Sequence, residues 1–279
     1  MADDMEIHML KKVDLKDATV IDGFPSVGLV SSIVANYIVK ILSLEQVGVL
    51  DSDYFPALSL VRRAEPLDTV RIYAGPRVGS ETSGDQIVVF ISEFQPPPNI
   101  IRPIASTMLD WIHDEKCRIL YSPEGLVIER EGQGAPKPGG GQVEEDEEGA
   151  EAAPAAAPAA AREVETYGIG STAAARKLLE DNHIKLFQEG VITGMAGVLL
   201  NQGKRRDIDV ISLLAEANPQ YPDARAAAKV IETLDKLILH IRLDSGPLYE
   251  EAGVIESQLK SVQKQAKGPK ATPMPHMYG

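Results

Sequence analysis

The chain has 279 residues, of which 44% are hydrophobic and 25% charged, a composition typical of a soluble globular protein with a sizeable core. The formal net charge of −13 argues against a nucleic-acid partner, and no apolar run approaches the roughly 18 residues of a membrane span. We therefore predict neither a nucleic-acid partner nor a membrane partner. Because Cys117 is the single cysteine and the N-terminus lacks a signal-peptide core, we expect a cytoplasmic protein without an intrachain disulfide.

Strand-like and helical patterns alternate in the first half of the chain. The strand-like runs are Ile7–Leu15, Thr19–Ile21, Gln46–Leu50, Ala57–Val61, Thr69–Tyr73, Gln86–Ile91 and Arg118–Tyr121. Amphipathic spacing predicts helices over Leu29–Leu42 and Ile100–His113. Such alternation is typical of an α/β protein, and we predict a mostly parallel sheet with helices on both faces.

Residues 131–162 form a low-complexity insert that is first Gly/Pro-rich, then acidic, and finally an Ala/Pro tract. Its acidic part contains Glu144, Glu145, Asp146, Glu147, Glu148 and Glu151. The insert lacks the hydrophobicity that would offset its ordering entropy, so we expect it to be disordered, with solvated charges. Because it falls within one α/β pattern, we interpret it as a decorated loop inside a single domain over residues 1–247.

The second half of the chain is predicted to be mainly helical. Helices are predicted over Thr172–Asn182, Val210–Glu216 and Pro222–Leu243, with an apolar run at Val191–Leu200. A narrower apolar stripe predicts a further helix over residues 248–267, which can pack on the body or on a partner subunit. Residues 268–279 contain three prolines and are predicted to form a flexible tail.

The turn Gly23–Gly28 joins a strand to a helix, the position where α/β proteins often bind phosphate. Its two glycines have the separation of a Walker loop, but Leu29 stands where the phosphate-binding lysine is needed. Its proline also removes one amide donor. We therefore favour a tight packing turn. The alternative is a nucleotide- or nucleoside-binding α/β enzyme that uses Gly23, Phe24, Pro25 and Gly28.

No motif in the sequence carries a recognisable catalytic or metal-binding arrangement. The five histidines show no His-x-x-x-His spacing, and a single cysteine cannot form a Cys-x-x-Cys pair. The sequence also lacks a Gly-x-Ser-x-Gly elbow. We therefore predict no catalytic residue, no metal and no cofactor, and a protein that is not an enzyme.

The last three residues, Met277, Tyr278 and Gly279, end the chain in the pattern hydrophobic-Tyr-any. Methionine offers an apolar anchor, tyrosine offers both buried area and a hydrogen-bonding phenol, and the terminal carboxylate can pair with a lysine. Capture of a terminal carboxylate is a recurring mode of peptide recognition. We therefore predict that these three residues bind a protein partner.

Several blocks of sequence together resemble the proteasome assembly chaperone 2 family. They are Gly23-Phe24-Pro25-x-x-Gly28-Leu29-Val30, Phe55-Pro56, Ile192–Leu200, Leu213–Glu216 and Pro222–Ala227, in the order and spacing of the family over most of residues 18–243. Two features depart from the family pattern: Ser26, where glycine is common, and the long acidic insert.

The resemblance implies a three-layer α/β/α body without established catalysis, and an ATP-independent chaperone or activator that binds 20S proteasome α-subunits. Archaeal members of the family form homo-oligomers and insert C-terminal tails ending hydrophobic-Tyr-any into pockets between α-subunits. By this resemblance Met277 would be the apolar plug, Tyr278 the pocket-binding phenol, and the Gly279 carboxylate the partner of a lysine. A plainer alternative is a scaffold that only self-associates through the helix over 248–267.

Overall fold

The computed structural model describes residues 5–77, 85–127, 164–239 and 243–250. The strands are β1 (Met5–Met9), β2 (Thr19–Gly23), β3 (Glu45–Ser52), β4 (Leu60–Arg62), β5 (Glu65–Leu67), β6 (Val70–Ala74), β7 (Ile87–Ser92), β8 (Ile119–Leu126), β9 (Thr166–Gly170) and β10 (Val210–Glu216). The helices are α1 (Val30–Ile41), α2 (Pro98–Asp114), α3 (Ala173–Asp181), α4 (Gly194–Arg206) and α5 (Ala224–Leu234). Within these ranges, no helix has both the length and the apolar character needed to cross a bilayer.

Eight strands form one central sheet in the order β1-β3-β6-β7-β2-β8-β10-β9, and β4 and β5 form a separate hairpin. The four central strands β7, β2, β8 and β10 are parallel to one another, whereas the outer pairs are antiparallel. The sheet predicted to be mostly parallel is thus mixed, with a parallel centre. Between β3 and β6 the chain forms the β4–β5 hairpin rather than a crossover helix, which suits antiparallel neighbours.

Helices cover both faces of the sheet, which confirms the predicted three-layer α/β/α fold. Side chains alternate between the faces with the period of two that strands impose. Ile21 and Val89 contribute to the core beneath α1, α3 and α5, whereas Val20 and Val88 contribute to the core beneath α2 and α4. The parallel centre of the sheet is therefore buried on both sides.

The prediction of a helix over Val210–Glu216 is wrong, because this segment is strand β10. All seven of its residues are buried, with β8 on one side and β9 on the other. A strand covered on both faces reads as a continuous apolar run and loses the alternation that distinguishes a strand from a buried helix. The sequence analysis also missed β9, and the apolar run Val191–Leu200 proves to contain the start of α4.

The described part of the chain ends in an anchored segment on the outside of α5. Residues 246–250 are helical, and Leu248 is buried in the core beneath α1 and α5. The hydroxyl groups of Tyr249 and Ser245 both donate to Oε1 of Glu232, at 2.9 and 3.1 Å. The rest of the predicted helix over 248–267, the tail 268–279 and the insert 131–162 lie outside the described residues, so their structures stay predictions.

Candidate functional site

The turn Gly23–Gly28 lies at the carboxyl edge of the parallel strands, next to the ends of β8 and β10. From β2 the chain runs through α1 toward β3 on one side of the sheet, whereas from β8 it continues toward β9 and β10 on the other side. Such a reversal of direction between neighbouring strands marks the crevice where open α/β sheets usually bind ligands. The turn is therefore the first place to test for a small-molecule site.

The turn itself fills this crevice. Phe24 is buried in the core beneath α2 and α4, whereas Val27 packs against the core beneath α1 and α5, so the turn crosses the edge of the sheet. A Cβ atom on Gly125 would overlap the carbonyl of Val27. Gly28 has a φ of +62°, and a Cβ there would lie 2.9 Å from the carbonyl oxygen of Asn218. These contacts support a packing role for the turn's glycines.

Two backbone amides that a bound phosphate would need already donate hydrogen bonds to carboxyl groups of the protein. The amide of Phe24 donates to Oδ1 of Asp22 at 3.0 Å, and the amide of Val27 donates to Oε1 of Glu124 at 3.3 Å. An anion placed here would have to displace these acceptors, and it would lie beside the carboxyl group of Asp22. The arrangement therefore disfavours nucleotide phosphates at this turn.

Ser26 supplies a further internal acceptor at the start of α1. Its Oγ accepts the amide of Ser31 at 3.0 Å, and its carbonyl accepts the amide of Leu29 at 2.9 Å. The departure from the family pattern at this position thus adds a side chain that satisfies an N–H group in the first turn of the helix. Fewer donors are left to hold an external anion.

Two carboxyl groups lie beneath the turn, that of the buried Asp22 and that of the partly buried Glu124. Asp22 is only 2% exposed, and its Oδ2 accepts the hydroxyl of Ser122 at 2.8 Å. Burial raises the pKa of Asp22 to about 6. Burial, with a smaller contribution from the charge of Asp22, raises the pKa of Glu124 to about 8. The pair can therefore hold a proton at neutral pH, and its hydrogen bonds to the turn make it a structural support.

The sequence analysis missed Ser122 and Glu124. It ended the predicted strand at Tyr121, whereas β8 continues to Leu126. A usable signal was present, since polar residues that follow a buried parallel strand lie at the same edge as Asp22. The partnership with the turn, however, depends on β2 and β8 being neighbours, which local sequence does not specify.

The other predicted site residues, Met277, Tyr278 and Gly279, lie outside the described residues, so their role stays a prediction. Within the part of the chain that the structure describes, no three His, Cys, Asp or Glu side chains are grouped so that they could hold a metal ion.

Among the described residues, the turn at the topological switch point of this α/β fold packs directly against β8 and the segment that follows β10. The sequence profile of the PAC2 family matches residues 20–263, and the chain belongs to this family. The family resemblance inferred from the sequence blocks is thereby confirmed.

Similar proteins extend over nearly the whole chain. The uncharacterized protein MJ0106 of Methanocaldococcus jannaschii is 27% identical over 268 residues, which cover 95% of this chain and 93% of that protein. The crystal structure of Pyrococcus furiosus PbaA, described as an archaeal homolog of proteasome-assembly chaperone, has 27% identity and a TM-score of 0.73, and covers 95% of this chain and 93% of PbaA. Pyrococcus furiosus PbaB, described as an archaeal proteasome activator, has 21% identity and a TM-score of 0.74, covers 93% and 99% of the two chains, and shows the shared fold.

Replacing Gly28 with alanine tests the packing role of the turn. Gly194 is a matched control because its φ of +68° is similar, but a Cβ there would meet no atom within 4 Å. Both variants bear the strain of a left-handed alanine, about 1 kcal/mol. We expect Gly28→Ala to lower the free energy of unfolding by about 1–2 kcal/mol more than Gly194→Ala, measured by urea denaturation. Equal losses in the two variants would contradict the packing role.

The raised pKa of Glu124 predicts a pH-dependent stability. The folded protein keeps the Glu124 proton up to about pH 8, whereas an unfolded glutamate releases it near its ordinary pKa of 4.5. The folded state therefore binds more protons in this window, and stability falls as pH rises, by at most about 1.4 kcal/mol per pH unit for one group. Glu124→Gln should flatten this slope between pH 6 and 8 in denaturation curves.

The exposed substitution Glu180→Gln serves as the control for this experiment, and we expect it to leave the slope unchanged. A Glu124→Gln variant whose unfolding free energy depends on pH as steeply as that of the unmodified chain would show that Glu124 is ionised in the fold.

Proposed function

We propose that this protein is an ATP-independent assembly chaperone or activator that binds the α-subunits of the 20S proteasome through its C-terminal Met277-Tyr278-Gly279. The observation that carries the proposal is membership of the PAC2 family together with similarity to PbaA along nearly the whole chain. PbaA is described as a homolog of proteasome-assembly chaperone, and PbaB, which shares the fold, as a proteasome activator.

The chemistry of the chain end supports the proposed role of the tail. A methionine side chain can fill an apolar pocket with little shape restriction, since it is unbranched and flexible. The phenol of Tyr278 combines a large apolar surface with one hydrogen-bonding group. The carboxylate of Gly279 requires a basic partner, for which a lysine in the pocket of an α-subunit is the simplest choice.

The anchored segment before the tail supports its use as a tether. Tyr249 and Ser245 hold the chain to Glu232 of α5 immediately before residues 251–279. The last dozen residues, treated as a flexible chain, span roughly 20 Å on average and about 40 Å when fully extended. A tail that starts from a fixed point on the body could therefore reach a neighbouring protein surface while the body stays folded.

The closed turn supports a mechanism without ATP. The amides of Phe24 and Val27 donate to Asp22 and Glu124, so neither amide is free to bind a phosphate. The free energy for the action of the chaperone would then come from binding alone. A single tripeptide binds weakly, but several tails on one oligomer could gain about 10²–10⁴ in avidity if they engage together.

Removing the last three residues, or the single change Tyr278→Ala, tests the proposal. We expect at least about a tenfold loss of affinity for 20S α-subunits, which corresponds to about 1.4 kcal/mol, because the apolar anchor and the phenol are lost. The measurement is biolayer interferometry with immobilised 20S particles and the full chain in solution. Circular dichroism should show an unchanged body.

Two methionines in the tail provide a matched control. Met277→Ala should weaken binding, whereas Met274→Ala, three residues upstream, should leave it within about twofold. Addition of one glycine after Gly279 should weaken binding as well, since the carboxylate is displaced. Full affinity in the chain that lacks residues 277–279 would overturn the proposed role of the tail.

A further inference from the structure

Strand β1 is one edge of the central sheet, and its outer side is open in the described structure. Its register with β3 places His8 opposite Val49, and the amide of Leu10 donates to the carbonyl of Val47 at 2.8 Å. Because the hydrogen-bonded residues of an antiparallel pair alternate, the even-numbered residues bond to β3. The N–H and C=O groups of Met5, Ile7 and Met9 therefore point away from the sheet.

At the opposite edge of the sheet, strand β9 is covered by another segment of the chain. On β9, the amide of Gly168 donates to the carbonyl of Lys185 at 2.8 Å, and the amide of Phe187 donates to the carbonyl of Gly168 at 3.0 Å. The segment around residue 186 thus covers this edge. No backbone hydrogen bond between described residues covers the outer side of β1 in the same way. Uncovered strand edges pair readily with other strands.

We propose that β1 pairs antiparallel with β1 of a second copy of this chain, centred on Ile7. In this register Ile7 lies opposite Ile7, and Met5 opposite Met9, so every outward N–H and C=O group of the strand finds a partner. Two eight-stranded sheets then join into one continuous sheet across a two-fold axis.

Pairing of the Glu6 carboxylate with the His8 imidazole, by hydrogen bond or ion pair, selects this register. The side chains of Glu6 and His8 are exposed, and within one chain Oε2 of Glu6 lies 3.7 Å from Nε2 of His8. Pairing centred on Ile7 sets Glu6 of each copy directly opposite His8 of the other, in the closely spaced type of pair. The two neighbouring registers instead set Glu6 against Glu6 or His8 against His8, which brings like groups together.

Exposed apolar side chains beside the strand add area to the contact. Met9 is 37% exposed and Leu10 is 59% exposed, and Met9 would lie opposite Met5 of the second copy. Two five-residue strands alone bury less than the roughly 1,200 Å² of a standard stable interface, so we expect a dimer that dissociates on dilution. This inference does not rest on proteasome binding, although each dimer would present two tails.

Disulfide trapping tests the register directly. In a Cys117→Ala background, one preparation carries Glu6→Cys and another carries His8→Cys. Residues directly opposite each other lie close enough for a disulfide, whereas two copies of either substitution are too far apart. After mild oxidation, we expect covalent dimers in an equal mixture of the two chains, at least about tenfold above either chain alone. No dimer in the mixture, or equal yields from one chain alone, would overturn the proposed register.

Charge substitution gives an independent test that leaves the fold intact, because both side chains are exposed. His8→Glu sets like charges opposite each other and should raise the dimer dissociation constant at least about tenfold in sedimentation velocity of the full chain. Glu6→Lys combined with His8→Glu sets opposite charges across the strand pair and should recover most of the affinity. A dimer unaffected by His8→Glu but lost on deletion of residues 251–279 would assign self-association to the C-terminal helix and overturn the proposal.

Discussion

The close contact between the carbonyl of Val27 and the backbone at Gly125 fixes the carboxyl edge of the sheet. Only a residue without a Cβ lets β8 lie directly beneath the turn that leads from β2 into α1. The contact brings the amide of Val27 to the carboxyl group of Glu124. As a result, the crevice where sheets of this kind commonly hold a ligand is filled by the protein's own backbone and acids.

This packing makes the turn a structural part of the body. Asp22 and Glu124 stabilise the turn by accepting hydrogen bonds from the amides of Phe24 and Val27. Both of our proposals place recognition at the periphery of the molecule. The anchor on Glu232 fixes the origin of the chain end, and the open edge of β1 offers the backbone groups through which two bodies could join.

Much of the fold could be predicted from the sequence because several elements carry their own local signals. The strand β2 and the helix α1 were predicted from an apolar run and an amphipathic stripe. β10 could not be recognised, because a strand buried on both faces has no alternation. β9 was missed because Gly168 and Gly170 interrupt a short strand.

The candidate site also contains one part that local sequence predicts and one part that it does not. The packing role of the turn was predicted from the absence of lysine at Leu29, a local fact. The partnership of Glu124 with that turn could not be predicted, since it requires β2 and β8 to be neighbours across a separation of about 100 residues. The binding role of the tail could be predicted from local sequence, because three terminal residues and a free carboxylate suffice to define its chemistry.

Competition by a synthetic peptide is the most direct test of the central claim that the chain end carries recognition. A peptide of residues 270–279 would be added at increasing concentration to the full-length chain bound to immobilised 20S proteasome. We expect the peptide to displace the full-length chain, and the same peptide with Tyr278→Ala to leave it bound. If the full-length chain stays bound at saturating concentrations of the unaltered peptide, recognition resides in the α/β body and the central claim is wrong.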